Sequence, residues 1–304
     1  MELILHLGAH RTGSTALQQM LQRRVPVLEA EGLRFWGPEI MRIGRLRDFV
    51  PTVARLGDAL KLPGSLAQMG AALHQEFDLA EAEGARRLVV SDENLLGAIH
   101  DTYSTVSLYP NAQEWLVAAA GLFPRCPEHI YLCVRDYAAF SVSLYSHLVS
   151  RLHLPPFDPD RIESIGKDRG WPSVLAEVRT VFPKSRLHVW RYGRDARMVP
   201  GAGRAMLGEG AALVQPRLNV NAGLSGIAVA AINALWDECV GQPTATVKQK
   251  ADALRKLAGP KFDPFTQDQR GRMSARFEAD WNAIVAGAVE GVEVFDPVAL
   301  EAVR

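Results

Sequence analysis

Hydrophobic residues along the 304-residue chain fall into short apolar runs separated by longer amphipathic stretches. The apolar runs predict five β-strands, at Leu3–Leu7, Leu33–Trp36, Arg87–Ser91, His129–Arg135 and Leu187–Arg191. The amphipathic stretches predict helices near 14–24, 64–83, 110–123, 136–152 and 171–182. Strands that alternate with helices favour a parallel sheet, and the nearly continuous apolar run Ile130–Val134 is typical of a strand covered on both faces. The predicted fold class is therefore α/β, a three-layer parallel sheet flanked by helices.

The pattern changes near residue 222, where the strand signals fade. Three long helical segments follow, at Gly223–Cys239, Thr244–Leu257 and Thr266–Val289. We predict one domain over residues 1–304, with an α/β core at 1–220 and a helical C-terminal region at 221–304. Two segments rich in proline, glycine and charge, 37–63 and 153–170, are predicted to be long loops over the edge of the sheet.

Composition and charge narrow the classes of partner. Hydrophobic residues make up 48% of the chain, which is ample for a core. Lysine plus arginine equals aspartate plus glutamate, at 34 each, so the formal net charge is zero. The chain lacks the bulk positive charge that attracts nucleic acid or acidic membranes, and we expect no nucleic-acid partner.

Three further features bear on the compartment. No run approaches the ~18–20 apolar residues that span a bilayer. The first apolar run is too short for a signal peptide and has no basic region before it. Cys126, Cys133 and Cys239 lack metal-binding spacing and are predicted to be reduced, buried thiols. We therefore expect a soluble cytoplasmic protein with no transmembrane segment, and the oligomeric state stays open.

The most informative segment is the loop between the first strand and the first helix. Small residues there allow successive backbone N–H groups to point inward, and the start of a helix adds partial positive charge. Gly8 and Gly13 have the separation of the P-loop pattern G-x-x-x-x-G-K-[ST], but Ser14 stands where that pattern has lysine. The cationic residue is instead Arg11, two positions before Gly13. The loop is therefore P-loop-like, and it predicts a phosphate or sulfate site other than that of an ATP or GTP hydrolase.

A second informative segment begins at the end of the fourth predicted strand. Arg135 ends that strand, and Ser143 follows eight residues later, two turns into the next helix. Ligands of open parallel sheets bind at the carboxyl ends of the strands, where both Arg11 and Arg135 are placed. A guanidinium offers forked donors to a phosphate, and a serine hydroxyl adds to them. The alternative for Arg135 is an ion pair with Asp136.

Together these two motifs resemble the sulfotransferases that use 3′-phosphoadenosine 5′-phosphosulfate (PAPS), most closely the bacterial branch that acts on carbohydrates or related small acceptors. The resemblance covers residues 2–24 and 129–150. It implies a P-loop-like α/β fold, PAPS as co-substrate and no metal. It also implies that the first loop binds the 5′-phosphosulfate through Arg11, Thr12, Gly13, Ser14 and Thr15.

The resemblance assigns further residues to the nucleotide. Arg135 and Ser143 are expected to bind its 3′-phosphate, and Tyr192 to contact adenine, although a core aromatic would explain Tyr192 equally well. Arg217 is placed in the segment that closes over the 3′-phosphate. The family usually has lysine where this chain has Arg11. The resemblance implies that this cation stabilises the leaving phosphate, and the guanidinium of Arg11 would do so as a bulkier, forked group.

The transfer also needs a group that accepts the proton of the acceptor hydroxyl. Glu93, directly after the third predicted strand, is the first candidate, His10 the second and His100 the third. The alternative for this segment is structural, with Ser91 or Asp92 as a helix cap and Glu93 in the first turn. His6 is predicted to be a packed core residue.

The predicted function is thus an enzyme that transfers a sulfuryl group to a hydroxyl, with Arg11, Glu93 and His10 as candidate catalytic residues. One alternative is a P-loop kinase or NTPase in which Asp92 would hold Mg²⁺ through water. Another is a nucleotide-binding protein without turnover. The acceptor is a carbohydrate or another small molecule whose identity the sequence does not specify.

Overall fold

A computed structural model of the chain describes residues 1–43, 65–208, 213 and 223–301. Its described strands form one six-stranded sheet, in the order β2-β3-β1-β4-β5-β6, and all neighbouring strands run parallel. The strands are β1 Glu2–His6, β2 Leu33–Trp36, β3 Arg87–Ser91, β4 His129–Val134, β5 Arg186–Arg191 and β6 Val292–Val294. The predicted α/β class, with a parallel sheet flanked by helices, is confirmed.

The sixth strand corrects the prediction that the C-terminal region is helical throughout. Val292–Val294 pairs in parallel with β5 at the edge of the sheet. It has only three residues and is partly exposed, so it lacks the apolar run that marks the buried strands. Its place in the sheet depends on pairing with β5, which the local sequence does not reveal.

Helices cover both faces of the sheet. Those described are α1 Ser14–Gln22, α2 Val25–Ala30, α3 Ser65–Ala82, α4 Ile99–Thr105, α5 Ala112–Leu122, α6 Tyr137–Val149, α7 Pro159–Ile162, α8 Trp171–Val181, α9 Met198–Leu207, α10 Gly226–Glu238, α11 Thr244–Leu254, α12 Gln267–Val285 and α13 Pro297–Glu301. The described residues also include a π-helical turn at Glu39–Ile43 and a 3₁₀ turn at Glu93–Leu96. The three predicted C-terminal helices are confirmed as α10, α11 and α12.

Two separate hydrophobic cores lie on the two faces of the sheet. Side chains alternate along each strand, so Leu3 and Leu5 enter one core while Ile4 enters the other. The larger core contains residues from α5, α6, α8 and the three C-terminal helices, and the smaller one contains residues from α1, α2 and α9. This arrangement is the predicted three-layer architecture.

Strand order places a topological switch point between β1 and β4. From β1 the chain continues to α1 on one face of the sheet, whereas from β4 it continues to α6 on the opposite face. The loops that leave the carboxyl ends of these neighbouring strands therefore diverge and open a crevice, which is where open α/β sheets bind ligands.

The prediction that the three cysteines are buried thiols is confirmed for two of them. Cys133 and Cys239 are buried free thiols as predicted, but Cys126 is exposed, so that prediction was wrong for Cys126. The reason is its place in the segment that leads into β4, outside both cores. Within the described ranges, no helix combines the length and apolar character needed to cross a membrane.

Candidate functional site

The backbone of the loop between β1 and α1 has a positive φ angle at three residues. Gly8, Arg11 and Gly13 have φ angles of +39°, +67° and +95°. A side chain at Gly8 would place its Cβ 2.6 Å from Ser14 Oγ and 2.7 Å from a ring carbon of His6, so the loop folds tightly over this glycine. Arg11 is a non-glycine residue held in the left-handed region, a feature that concentrates at ligand sites.

Helix α1 begins directly at the end of this loop. The first N–H groups of a helix lack intrahelical acceptors, and the N-cap Gly13 has no side chain to accept from them. The first turn also contains no acidic residue. Thr12 Oγ1 donates to the Ala9 carbonyl at 2.6 Å and Ser14 Oγ to the same oxygen at 3.3 Å, so both hydroxyls brace the loop. Thr15, half-buried in the first turn, adds a further hydroxyl at this end of the helix. The backbone N–H groups here suit an anion.

The two motifs contact each other across the crevice. Arg11 Nε donates to Ser143 Oγ at 2.9 Å, and the Arg135 guanidinium donates to the Arg11 carbonyl oxygen. The Arg135 guanidinium also stacks on Tyr192, with its central carbon 4.6 Å from the ring centre. The Tyr192 ring in turn borders Gly13, where a Cβ would lie 3.8 Å away. Loop, strand end and helix therefore form one site.

Burial perturbs both arginines of this site. It lowers the pKa of Arg11 to about 10, with further lowering from the charge of Arg135, and it lowers the pKa of Arg135 as well. Both side chains remain charged at neutral pH. In the part of the chain that the structure describes, the buried Nε of Arg135 has no hydrogen-bond partner. A buried charged donor of this kind is satisfied by an anionic oxygen.

Asp136 caps the start of a helix, whereas the alternative interpretation placed it in an ion pair with Arg135. Its carboxylate accepts from the Ala139 N–H at 2.9 Å and caps the start of α6. Because α6 starts directly after Asp136, Ser143 lies two turns along the helix, within reach of Arg11. The spacing of Arg135 and Ser143 thus places both beside the loop.

Glu93 lies at the carboxyl end of β3, on the other side of the loop. Gln18, a buried residue of α1, donates through Nε2 to Glu93 Oε2 at 3.0 Å and to Ser91 Oγ at 3.2 Å. Asp92 is buried and accepts from the Asn94 N–H at 2.9 Å, so it caps the 3₁₀ turn. The predicted cap is therefore present, and Glu93 occupies the first position of that turn.

His10 is buried inside the loop, with both ring nitrogens engaged. Nδ1 lies 3.1 Å from the Tyr109 hydroxyl and Nε2 lies 3.3 Å from Asn94 Oδ1. The amide oxygen requires Nε2 to carry the hydrogen, which leaves Nδ1 to accept from Tyr109. His100 lies exposed on α4, where Nδ1 is 3.8 Å from its neighbour Asp101. Both ring nitrogens of His10 are thus engaged, and His100 lies on the exposed side of α4.

His6 is a core residue, as predicted. It is 1% exposed, its Nδ1 lies 2.8 Å from Ser91 Oγ, and its ring stacks against Trp190. Burial lowers its pKa to about 4, so it is neutral at pH 7. Arg217 lies outside the described residues.

Several residues of the site were not found from the sequence, namely Gln18, Tyr109, His147, Arg151 and Arg255. His147 follows Ser143 by four residues, which places both on the same side of α6 and would have been a usable signal, and Arg151 follows two residues after that helix ends. Gln18 follows Ser14 by the same interval on α1. Tyr109 and Arg255 reach the site only through the fold.

Comparisons of the chain with protein-family models, with curated proteins and with solved structures gave no match.

Proposed function

We propose that this protein is a sulfotransferase that moves a sulfuryl group from PAPS to a hydroxyl of a carbohydrate or another small acceptor. The proposal depends most on one observation. Two segments 132 residues apart contact each other through the 2.9 Å hydrogen bond from Arg11 Nε to Ser143 Oγ. These segments flank the switch point of a parallel sheet. They are the segments in which the chain resembles the PAPS-dependent family.

The donors of the site suit a nucleotide with two separate phosphate groups. The P-loop-like turn and the start of α1 offer backbone N–H groups to the 5′-phosphosulfate. Arg135, with its buried Nε, and Ser143 offer side-chain donors to the 3′-phosphate. Tyr192 stacks on Arg135 and borders Gly13, which supports a position beside the nucleotide for its ring.

In the proposed reaction the acceptor oxygen forms a bond to sulfur while the bond from sulfur to the bridging phosphate oxygen breaks. Adenosine 3′,5′-bisphosphate leaves with the electron pair of that bond. Arg11 stabilises the charge that develops on the leaving phosphate, and the Glu93 carboxylate takes the proton of the acceptor hydroxyl. Gln18 holds that carboxylate in place through its 3.0 Å hydrogen bond.

The kinase or NTPase alternative has less support. The hydroxyl of Ser14, at the position of the missing lysine, donates back to the loop carbonyl of Ala9. The carboxylate of Asp92, which would hold Mg²⁺ through water, caps the following turn. A nucleotide-binding protein without turnover would share the proposed site, and only an activity measurement separates it from an enzyme.

Thermal unfolding with adenosine 3′,5′-bisphosphate, compared with ATP and Mg²⁺, tests the nucleotide. At a concentration ~100 times its Kd, a ligand stabilises the folded state by about 2.7 kcal/mol. We expect the bisphosphate to raise Tm in the unaltered protein and not in Arg135→Ala. Stabilisation by ATP and Mg²⁺ alone would refute the proposal.

Transfer from labelled PAPS to a mixture of acceptors tests the reaction. Glu93→Gln keeps the shape of the side chain and removes its basicity, so bisphosphate binding should persist while turnover falls by about 10²–10⁴-fold. Binding of the bisphosphate with no transfer by the unaltered protein to any acceptor would instead favour the non-catalytic alternative.

A further inference from the structure

We propose that the acceptor carries an oxyanion, a carboxylate or a sulfate ester, and that this group binds to a basic cluster formed by His147, Arg151 and Arg255 beside Arg11. The proposal rests on the sulfotransferase function given above and names the chemical class of its acceptor. His147 lies one turn beyond Ser143 on α6, Arg151 follows the end of that helix and Arg255 caps the end of α11, and none of the three is assigned above to the nucleotide.

Helix α6 connects the basic cluster to the nucleotide site. Ser143 and His147 lie one turn apart on the same side of α6, and Arg151 follows two residues after the helix ends. Among the described residues, Arg151 contacts His147 and contacts neither Ser143 nor Arg135, so we assign the basic cluster to a different anionic group from the phosphate at Ser143.

Two guanidinium groups approach one imidazole nitrogen within this cluster. Arg11 Nη1 lies 3.4 Å from His147 Nδ1, and Arg151 Nη1 lies 3.2 Å from the same atom. Because both partners are donors, Nδ1 must accept, and His147 is neutral. Burial, followed by the charges of Arg151 and Arg11, lowers the pKa of His147 to about 3. His147 therefore positions two positive groups side by side without adding a third charge.

Arg255, the residue that caps the end of α11, adds a positive charge that acts on the same groups. Its charge lowers the pKa of Arg11, Arg151 and His147, so it repels the two arginines and disfavours protonation of the histidine. Asp252 offsets part of this charge through an ion pair with Arg255 at 3.5 Å. Arg151 also donates to the His147 carbonyl at 3.2 Å, which stabilises the end of α6. That bond explains Arg151 alone, whereas an anion bound by the guanidinium groups explains why Arg11 and Arg151 meet at His147.

The position of the basic cluster fits an acceptor. Arg11 contacts both Ser143 of the nucleotide site and His147 of the basic cluster. A substrate anchored on Arg151 and Arg255 would therefore extend toward Arg11, where the leaving phosphate is proposed to form. Anchoring of a distant charged group is an effective way to orient a hydroxyl for in-line transfer.

Calorimetric titration of the protein saturated with adenosine 3′,5′-bisphosphate tests this inference. The probes are a uronic acid tetrasaccharide, the same tetrasaccharide with its carboxylates reduced to alcohols, and the reduced tetrasaccharide after chemical sulfation. The variants are Arg151→Gln and Arg255→Gln, and the matched control is Arg186→Gln, which removes one charge from an exposed residue at the amino end of β5.

We expect at least one of the two charged probes to bind and the reduced one to bind much more weakly. Each cluster variant should weaken binding of the charged probe by about tenfold, as expected for loss of a charged hydrogen bond. Arg186→Gln should not. Because Arg255 repels its neighbours, Arg255→Gln should weaken this binding without lowering Tm, an outcome that a purely structural role would not give.

Several results would overturn the inference. These are equal binding of charged and reduced probes, no binding of either charged probe, or equal effects of the cluster variants and the control. Weaker bisphosphate binding in Arg151→Gln or Arg255→Gln would assign the basic cluster to the nucleotide, which contradicts this inference and leaves the proposed function intact. Failure of the bisphosphate to bind the unaltered protein would instead reject the proposed function.

Discussion

Replacement of Gly8 by alanine tests whether the loop after β1 is as tight as its geometry indicates. With φ at +39°, an alanine at this position adopts a left-handed conformation, which costs roughly 1–2 kcal/mol. Its Cβ would also lie 2.6 Å from Ser14 Oγ and 2.7 Å from His6. His6 is 1% exposed and held between Ser91 and Trp190, so it cannot move aside without disturbing the core. Overpacking of this kind adds about 1–3 kcal/mol, for a total loss of roughly 2–5 kcal/mol.

Gly84→Ala is the matched control. Gly84 also has a positive φ, +86°, but no atom lies within 4 Å of the position of its Cβ. Only the conformational cost of roughly 1–2 kcal/mol applies there. Urea unfolding should therefore show a larger loss of the free energy of unfolding for Gly8→Ala than for Gly84→Ala.

Gly13→Ala separates the loop conformation from crowding, since its φ is +95° and the nearest atoms to a Cβ are 3.8 Å away. We expect a stability loss close to that of Gly84→Ala, with weaker binding of adenosine 3′,5′-bisphosphate because the loop N–H groups shift. Equal destabilisation by Gly8→Ala and Gly84→Ala would refute the close packing of the loop over Gly8.

Two further predictions concern buried polar groups next to the loop. Gln18→Leu removes the amide that donates to Glu93 at 3.0 Å, so kcat should fall while the Kd of the bisphosphate stays unchanged. A lower kcat together with weaker bisphosphate binding would show that Gln18 supports the fold and not the carboxylate. Burial lowers the pKa of His6 to about 4. Between pH 6.5 and 4 the unfolded chain therefore binds a proton that the folded chain does not, and the free energy of unfolding falls as the pH falls. This effect of His6 should lower the free energy of unfolding by about 2 kcal/mol from pH 7 to pH 5. Urea unfolding at both pH values should show that His6→Asn no longer has this contribution.

Much of the fold is readable from the sequence because the signals are local. The buried strands are apolar runs, and the helices between them follow a period of 3.6 residues, so five strands and the principal helices agree with the structure within a few residues. The strand β6 has no such signal, because a three-residue edge strand buries too little apolar surface to mark the sequence.

The sequence by itself determined the elements of the site, namely the glycine loop after β1, the arginine that ends β4 and the serine two turns into α6. Short-range geometry sets these features, since turn conformations and helical spacing depend on neighbours in the chain. Only the tertiary structure decided which of them meet. The bond from Arg11 to Ser143 spans 132 residues and that from Gln18 to Glu93 spans 75, and both exist because β1 lies between β3 and β4 in the sheet. Strand order follows from the burial of both faces at once, a property of the whole chain that no local segment carries.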